Sequence, residues 1–404
     1  MSCCRRPWIA SQILLNEELS TETERVIVSK LGKMKAFGLD ALMIWSDRPE
    51  SSQRVVQICR ERGVSPYLWY PVLADAPVKF ETLPFEVVKI LEQGESQILD
   101  SQRSGGEEFE FLCPNKVRAT GDFLKRFEET LETADFSGIF LDRIRFPSPA
   151  NGLADILTCF CETCTRESKN VTEKFRYEIQ GLLNSLAVSD GKDKAMAAIS
   201  NMIEAASEFL SFRKASVVEL VSEYSSLARN RDLDVGIDLF TPALSDFVSQ
   251  DYSALASHVD WIKPMVYCKT MGPAGLPMEL LSLGKIIQRI NGKLSEEEIL
   301  WILEELTCLS LPKSFKSLID EGIDMKNFGL ELVRAISRTK DSKTRIFAGF
   351  EAVDFPPICT VDSVDIRRYL ELSREMDLGG IVLSWDIRRI PDENIEAVGD
   401  FFER

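Results

Sequence analysis

The chain contains almost no histidine: among its 404 residues, His258 is the single example. Ser-His-Asp and Cys-His nucleophilic sites need a histidine base, and zinc enzymes usually take histidine ligands, so the sequence argues against these classes. His258 stands where a predicted helix gives way to a strand, and we interpret it as a structural residue. Acid–base chemistry would therefore depend on carboxylates, lysine, tyrosine or cysteine.

Other features are missing as well. No run of about eighteen apolar residues is present, so no membrane span is expected. The residues before Trp8 contain no apolar stretch of the signal-peptide kind, which predicts a cytoplasmic location. Lys and Arg form no long block, and the net charge is -16, so nucleic acid is not expected as a partner. No Gly-rich nucleotide-binding loop follows a predicted strand.

Apolar runs alternate with amphipathic segments along the whole chain. Gly138–Asp142 is typical: it enters through a glycine, continues as Ile-Phe-Leu and ends in a carboxylate. The predicted strands cover 8–15, 41–46, 65–73, 138–142, 235–239, 261–267, 345–349 and 380–385. Helices are predicted near 20–37 (capped by Ser20 or Thr21), 50–62, 115–134, 169–188 and 193–229, with three more between 268 and 343.

Eight short strands separated by helices predict an α/β fold, a (β/α)8 TIM barrel with a parallel sheet. A doubly wound open sheet is the alternative. The barrel is favoured because polar residues follow nearly every strand at its carboxyl end, which is the catalytic face of such barrels. Two helical insertions, about 148–233 after strand four and about 268–343 after strand six, would shape a cleft there. We expect one domain over 1–404.

Four carboxylates stand at or near the ends of predicted strands. They are Asp142, Asp238, Glu351 and Asp386. Glycoside hydrolysis needs two such groups, one to protonate the leaving oxygen and one to act as nucleophile or to activate water. The alternative is that these acids pair with nearby Arg or Lys side chains and only hold loops.

Aromatic and cationic residues share these positions. Trp45, Trp69, Tyr267 and Trp385 lie near strand ends, together with Arg145 and Lys263, and Arg143 follows Asp142 directly. Sugar rings stack their C–H faces on aromatic planes, and their hydroxyls bind charged groups, so this mixture favours a carbohydrate ligand. A single aromatic residue would be as readily explained by core packing.

A cysteine motif and a lone arginine lie within the first insertion. Cys159, Cys161 and Cys164 form a C-x-C-x-x-C spacing with no neighbouring histidine, so a metal would need a fourth ligand such as Cys113 or Cys268. Packing cysteines are the favoured interpretation, with a metal site or a redox-active or disulfide pair as alternatives. Arg213 belongs to a helix patterned for burial, where it would either reach the cleft or clamp the insertion.

Several of these motifs together resemble a group of uncharacterised, glycoside-hydrolase-like barrel proteins. The resemblance rests on Leu-Asp-Arg-Ile-Arg-Phe-Pro at 141–147, the cysteine motif at 159–164, Phe-Arg at 212–213 and Trp-Ile-Lys-Pro-Met-Val-Tyr at 261–267. It covers about 40–390, in the same order. Arg143 replaces the aromatic residue that is usual in that group.

This resemblance implies a glycosidase-type barrel with functional positions at Asp142, Arg145, Asp238, Lys263, Tyr267 and Glu351. By analogy with retaining barrel enzymes, it assigns Asp142 as acid/base and Glu351 as nucleophile, with the reverse assignment as the alternative. Trp45, Trp69, Trp385 and Asp386 would contact substrate, with Arg143 and Arg213 in support. No metal or organic cofactor is expected. A carbohydrate-binding barrel without catalysis and a metal or redox enzyme using the cysteines are the alternatives.

Overall fold

The computed structural model describes residues 7–74 and 111–403. Residues 1–6, part of the amino-terminal stretch from which the location was predicted, lie outside the described residues. Residues 75–110, in the connection after the third strand, also lie outside them. No helix in the described ranges is both long and apolar enough to cross a bilayer.

Eight parallel strands close into a barrel, which confirms the predicted fold class and excludes the open sheet. Each strand pairs with its sequence neighbours, and the last pairs with the first. The strands are β1 (Trp8–Leu15), β2 (Ala41–Ser46), β3 (Ser65–Pro71), β4 (Gly138–Asp142), β5 (Asp234–Phe240), β6 (Trp261–Met265), β7 (Arg345–Glu351) and β8 (Gly380–Ser384). A small hairpin of Asp354–Phe355 and Cys359–Thr360 follows β7.

The barrel interior changes from aromatic to polar along its axis. Near the middle, the indole of Trp261 stacks between Phe140 and Phe347, with ring centroids 5.1 and 4.8 Å away. Lys263, two residues further along β6, also points inward and is completely buried. Alternate residues of a strand face the same side, so a layer of polar groups lies above these stacked aromatic rings, toward the carboxyl ends of the strands.

The helices surround this barrel and fill the two insertions. They are α1 (Thr21–Ala36), α2 (Pro49–Glu61), α3 (Pro114–Thr120), α4 (Asp122–Leu131), α5 (Leu153–Ile156), α6 (Glu162–Glu167), α7 (Val171–Ala187), α8 (Lys192–Ala205), α9 (Ser207–Arg229), α10 (Tyr252–Ala256), α11 (Leu276–Ile290), α12 (Glu296–Thr307), α13 (Phe315–Glu321), α14 (Lys326–Thr339), α15 (Ser363–Ser373) and α16 (Asp392–Glu403). Ser20 caps α1, as predicted: its hydroxyl accepts a hydrogen bond from the Thr23 amide. Short 3-10 turns occur at Pro149–Asn151 and Ile387–Arg389.

Three predicted helical regions are divided differently in the structure. The region 115–134 is two helices, because Gly121 takes a left-handed conformation with φ of 68° that ends α3. The region 193–229 is also two helices, α8 and α9, which meet at Ala206. Four helices, rather than three, lie between 268 and 343.

Three strands are shorter than predicted: β3, β6 and β8, the last of which ends at Ser384 instead of residue 385. β6 ends at Met265 instead of residue 267, after Pro264, which has no amide hydrogen for the ladder. The Val266 amide then divides its hydrogen bond between the carbonyl of Pro264, at 3.1 Å, and that of Gly349 in β7, at 3.4 Å. β3 ends at Pro71, although the Val72 amide still bonds to the Asp142 carbonyl at 2.9 Å.

Candidate functional site

Asp142 ends β4 in a small cleft at the carboxyl-end face of the barrel. The cleft is lined by Leu14, Asn16, Trp45, Trp69, Pro71, Asp142 and Arg143. Asp142 Oδ2 accepts a 2.8 Å hydrogen bond from Trp69 Nε1, and its Oδ1 accepts a 2.6 Å bond from the Arg143 amide. Burial raises the pKa of Asp142, while the Trp69 hydrogen bond and the charge of Lys263 act in the opposite direction.

A buried polar network adjoins Asp142. Lys263 Nζ donates to Asp238 Oδ2 and to the Tyr267 hydroxyl, both at 2.8 Å, and to Gln12 Oε1 at 3.4 Å. The Tyr267 hydroxyl in turn donates to Ser384 Oγ at 3.1 Å. Strands β1, β5, β6 and β8 thus contribute to one network, which brings together the predicted residues Asp238, Lys263 and Tyr267.

The two charged members of this network have shifted pKa values. Burial raises the pKa of Asp238 to about 7, opposed by the charge of Lys263 and reinforced by that of Asp142. Burial lowers the pKa of Lys263, but the charges of Asp238 and Tyr267 and the hydrogen bonds to them together outweigh burial, and the pKa is raised. Lys263 is therefore an ammonium group that stabilises anions, whereas a nucleophilic lysine needs a lowered pKa. Asp238 Oδ1 is buried and has no hydrogen-bond partner within the described residues.

Arg145 lies between two aromatic rings beside the network. Its guanidinium stands 4.4 Å from the ring centroids of both Phe111 and Phe240, and Nη1 donates to the Phe146 carbonyl at 3.0 Å. Burial lowers the pKa of Arg145 to about 10. Of the two neighbouring arginines, Arg143 and Arg145, it is Arg143 that lines the cleft. It holds a left-handed backbone conformation with φ of 52°, which is uncommon for a residue other than glycine.

Glu351 has different neighbours. It ends β7, in register with Ser384 of β8, and is fully buried. Its Oε1 accepts a 2.6 Å hydrogen bond from the Lys269 amide, and burial raises its pKa to about 7. The charge of Asp365 also raises the pKa of Glu351, and Cys268 and Cys359 lie near enough to respond to the charge of Glu351. Hydrogen bonds and charge bring Asp142, Asp238 and Lys263 together, whereas the backbone bond to Glu351 comes from Lys269.

Trp385 and Asp386 follow β8 near the same face. Trp385 meets the Tyr267 ring edge-on, with centroids 6.0 Å apart. Both carboxylate oxygens of Asp386 pair with the Arg388 guanidinium, which also donates to the Leu14 carbonyl at 2.6 Å. These bonds favour a loop-holding role for Asp386, the alternative that the sequence left open.

Arg213 clamps the first insertion instead of reaching the cleft. It lies on α9 with 1% of its surface exposed, donates to the carbonyls of Ile156 at 2.7 Å and Phe247 at 3.2 Å, and packs over the Phe146 ring.

The three cysteines of the predicted motif lie next to Cys113, and not Cys268. The sulfur atoms of Cys113, Cys159, Cys161 and Cys164 all lie within 4.8 Å of one another.

Sequence reasoning missed several polar residues of this face. Gln12 and Ser384 complete the Lys263 network, and a buried polar residue in the middle of an apolar strand was a usable signal for Gln12. Glu279 is fully buried and accepts bonds from Ser148 Oγ and from the amides of Ala150 and Ala274, so it ties the two insertions together. In sequence it resembles an ordinary first-turn acid of α11, which explains the omission.

Comparison with known proteins supports the fold. No family model and no curated protein matches the chain. The catalytic domain of β-amylase from Paenibacillus polymyxa is similar in structure at 12% identity, with 97% of each chain covered and a TM-score of 0.50. A class V chitinase from Pseudomonas fluorescens Pf-5 (10% identity, 97% of this chain and 98% of that one, TM-score 0.48) and the spore cortex-lytic enzyme SleL of Bacillus megaterium QM B1551 (10%, 98% and 73%, 0.46) are also similar. At 12% identity the likeness to the β-amylase domain shows the barrel fold alone.

Proposed function

We propose that the protein is a glycoside hydrolase or transglycosylase that acts on carbohydrate in the cleft at Asp142. One observation carries the proposal: the Asp142 carboxylate is held by the Trp69 indole N–H in a cleft that Trp45 also lines. An indole face suits the C–H face of a sugar ring, and the carboxylate and the Arg143 guanidinium suit its hydroxyls. The resemblance of the motifs to glycoside-hydrolase-like barrels supports the same reaction class.

Asp142 and Asp238 are the carboxyl pair that the geometry supports best. They are close enough for the charge of Asp142 to raise the pKa of Asp238, which reaches about 7. With a pKa near neutrality, Asp238 can both hold and release a proton, which suits a general acid. The two hydrogen bonds on Asp142 favour its ionised form, which suits a nucleophile or a base for water. This arrangement is the reverse of the acid/base role that the sequence assigned to Asp142.

Lys263, Tyr267 and Arg145 would act by position and charge. The Lys263 ammonium, held by three acceptors, orients Asp238 and stabilises the carboxylate that Asp238 becomes once it has given up its proton. Arg145, held between its two rings, adds positive charge beside both carboxyl groups. Glu351 is the alternative partner of Asp142, as the resemblance implies, and variants separate the two possibilities.

The test is a panel of oligosaccharides and aryl glycosides, incubated with wild type and with Asp142→Asn, Asp238→Asn and Glu351→Gln. We expect one substrate class to be cleaved and Asp142→Asn to reduce kcat by about 10²–10⁴-fold, the range for loss of a positioned acid–base group. Asp238→Asn should show a comparable loss and Glu351→Gln a small one. Asp392→Asn, at a surface carboxylate paired with Lys30 and Lys33, is the matched control and should keep full activity.

Two results would contradict the proposal. Wild-type turnover that survives Asp142→Asn unchanged would remove Asp142 from the chemistry. Absence of turnover across the panel, together with calorimetric binding of a sugar that Trp45→Ala abolishes, would establish the carbohydrate-binding barrel instead. A loss of turnover confined to Asp142→Asn and Glu351→Gln would instead favour Asp142 and Glu351 as the catalytic pair, as the resemblance implies.

A further inference from the structure

Four buried cysteine sulfurs converge at one point beside the barrel. Cys113 precedes α3 in the connection between β3 and β4, and the other three, Cys159, Cys161 and Cys164, belong to the insertion after β4. The Sγ atoms of Cys113 and Cys161 are 3.8 Å apart, those of Cys113 and Cys164 are 3.3 Å apart, and all four lie within 4.8 Å of one another. Four sulfurs bound to a tetrahedral zinc ion, at about 2.3 Å each, are about 3.8 Å from one another.

The surroundings of the cluster match those of metal-bound thiolates. The side-chain amide of Asn115, itself 1% exposed, donates to Cys164 Sγ at 3.3 Å, and the Cys164 backbone amide donates to Cys161 Sγ at 3.5 Å. Such N–H···S bonds stabilise a thiolate and orient it toward a metal. A packing cysteine needs no donor, whereas a buried amide directed at a sulfur stabilises its thiolate form.

The charge balance of this region also matches that around metal-bound thiolates. Arg213 is a buried cation whose hydrogen bonds go to the carbonyls of Ile156 and Phe247, and its Nε has no partner within the described residues. Burial lowers the pKa of Arg213, and Cys159 and Cys164 act in the opposite direction. A zinc ion with four thiolates carries a net charge of 2-, which a neighbouring guanidinium partly offsets. Without such an anion, a buried arginine is costly.

We propose that Cys113, Cys159, Cys161 and Cys164 bind one structural zinc ion. All four residues are at most 8% exposed, so the site has no coordination position open to water or substrate, which is the difference between a structural and a catalytic zinc. Thiolates as the sole ligands suit zinc better than magnesium, calcium or manganese.

Such an ion would cross-link the connection after β3 to the insertion after β4. Two residues before Cys113, Phe111 packs against the Arg145 guanidinium, and the Leu112 amide bonds to the Leu73 carbonyl at 2.7 Å. The metal would therefore hold one of the two rings that enclose Arg145. This inference does not depend on the reaction that the cleft carries out.

The first test is the metal content of wild-type protein, purified without a histidine tag, added metal or chelator. We expect about one zinc per chain by inductively coupled plasma mass spectrometry. X-ray absorption at the zinc edge should show four sulfur neighbours at about 2.3 Å. Titration with a mercurial that modifies thiols should release that zinc, and this measurement needs no variant to fold.

The second test uses serine variants. Cys113→Ser and Cys164→Ser should each lower zinc content at least tenfold, and Cys308→Ser, which alters an exposed cysteine outside the cluster, should retain it. Wild-type protein with less than a tenth of a zinc per chain, with iron in its place, or with disulfides among these four residues would overturn the proposal. Full retention of zinc by Cys113→Ser would also overturn the proposal.

Discussion

At the scale of single residues, the buried carboxyl groups of Asp238 and Glu351 differ in whether a cation lies beside them. Asp238 is buried against the Lys263 ammonium at 2.8 Å. Glu351 is equally buried, but its recorded hydrogen bond comes from the Lys269 backbone amide, and Glu351 Oε2 has no partner within the described residues. Because a buried charge is costly, burial raises the pKa of both carboxyl groups to about 7, and each is neutral in acid and charged in alkaline solution.

Glu351→Gln should make stability less dependent on pH. The pKa of Glu351 rises from an ordinary value of 4.5 to about 7 on folding, so its neutral form contributes stability that is fully present below about pH 4.5. That stability is lost as pH rises through 7, by up to about 3 kcal/mol. Glutamine stays neutral and can still accept from the Lys269 amide. Urea unfolding of both proteins at pH 5 and pH 8 measures the difference.

The pH comparison contains its own control. Asp238 titrates in the same range but is present in both proteins, so its contribution cancels. Free energies that differ between wild type and variant by the same amount at both pH values would show that Glu351 is ionised throughout. Turnover of Glu351→Gln, measured on the same samples, reports separately on its predicted role as nucleophile.

At the scale of structural elements, β6 and β7 make room for the buried lysine. The register of the two strands is recorded at Ile262–Ile346 and again at Met265–Gly349, with an interruption at Lys263 and Pro264. A Cβ atom on Gly349 would stand 2.5 Å from both Cγ and Cε of Lys263 and 2.9 Å from the Pro264 carbonyl oxygen. The lysine chain therefore occupies the space that a side chain of β7 would fill.

Gly349→Ala should destabilise the protein by about 1–3 kcal/mol, the usual cost of overpacking a core. It should also lower kcat, because the Lys263 chain would have to leave its three acceptors. Gly32→Ala is the matched control: this glycine lies in α1 with no atom within 4 Å of an added Cβ, so alanine should stabilise by about 0.5–1 kcal/mol. Chemical denaturation gives both values, and equal stability of Gly349→Ala and wild type would contradict the close approach.

At the scale of the whole molecule, one apolar core joins the barrel to its helices. The main cluster runs from Ile9 in β1 to Val398 in α16. Two smaller clusters lie in the insertions, and they share Ile290 as a partly buried neighbour, while Phe247 joins one of them to the main core. We propose on this ground that the chain is a single domain.

Unfolding should therefore be cooperative. Tryptophan fluorescence reports mainly on the barrel, because Trp261 and Trp69 are interior, and far-ultraviolet circular dichroism reports mainly on the helices. We expect the two urea transitions to coincide. An early loss of helical signal with the fluorescence unchanged would show that the insertions unfold separately and would contradict the single domain.

Much of this architecture was predictable from local patterns. Runs such as Gly138–Asp142 identified all eight strands, because a strand buried on both faces is continuously apolar whatever surrounds it. Strand ends were less predictable: β6 ends at Met265 although the apolar run continues to residue 267, because the last bonds of a strand depend on its neighbours as well as on its own residues. The break at Ala206 between α8 and α9 likewise has no marker in sequence.

The sequence by itself determined the parallel barrel, the two insertions and the placement of Asp142, Asp238 and Lys263 at one end, because parallel strands bring their carboxyl ends to one face. Only the tertiary structure decided which of these groups meet. Asp238 lies against Lys263 while Glu351 faces the Lys269 amide, and Cys113 completes a cluster with a motif far along the chain. Such contacts join residues distant in sequence, and closure of the barrel sets their distances.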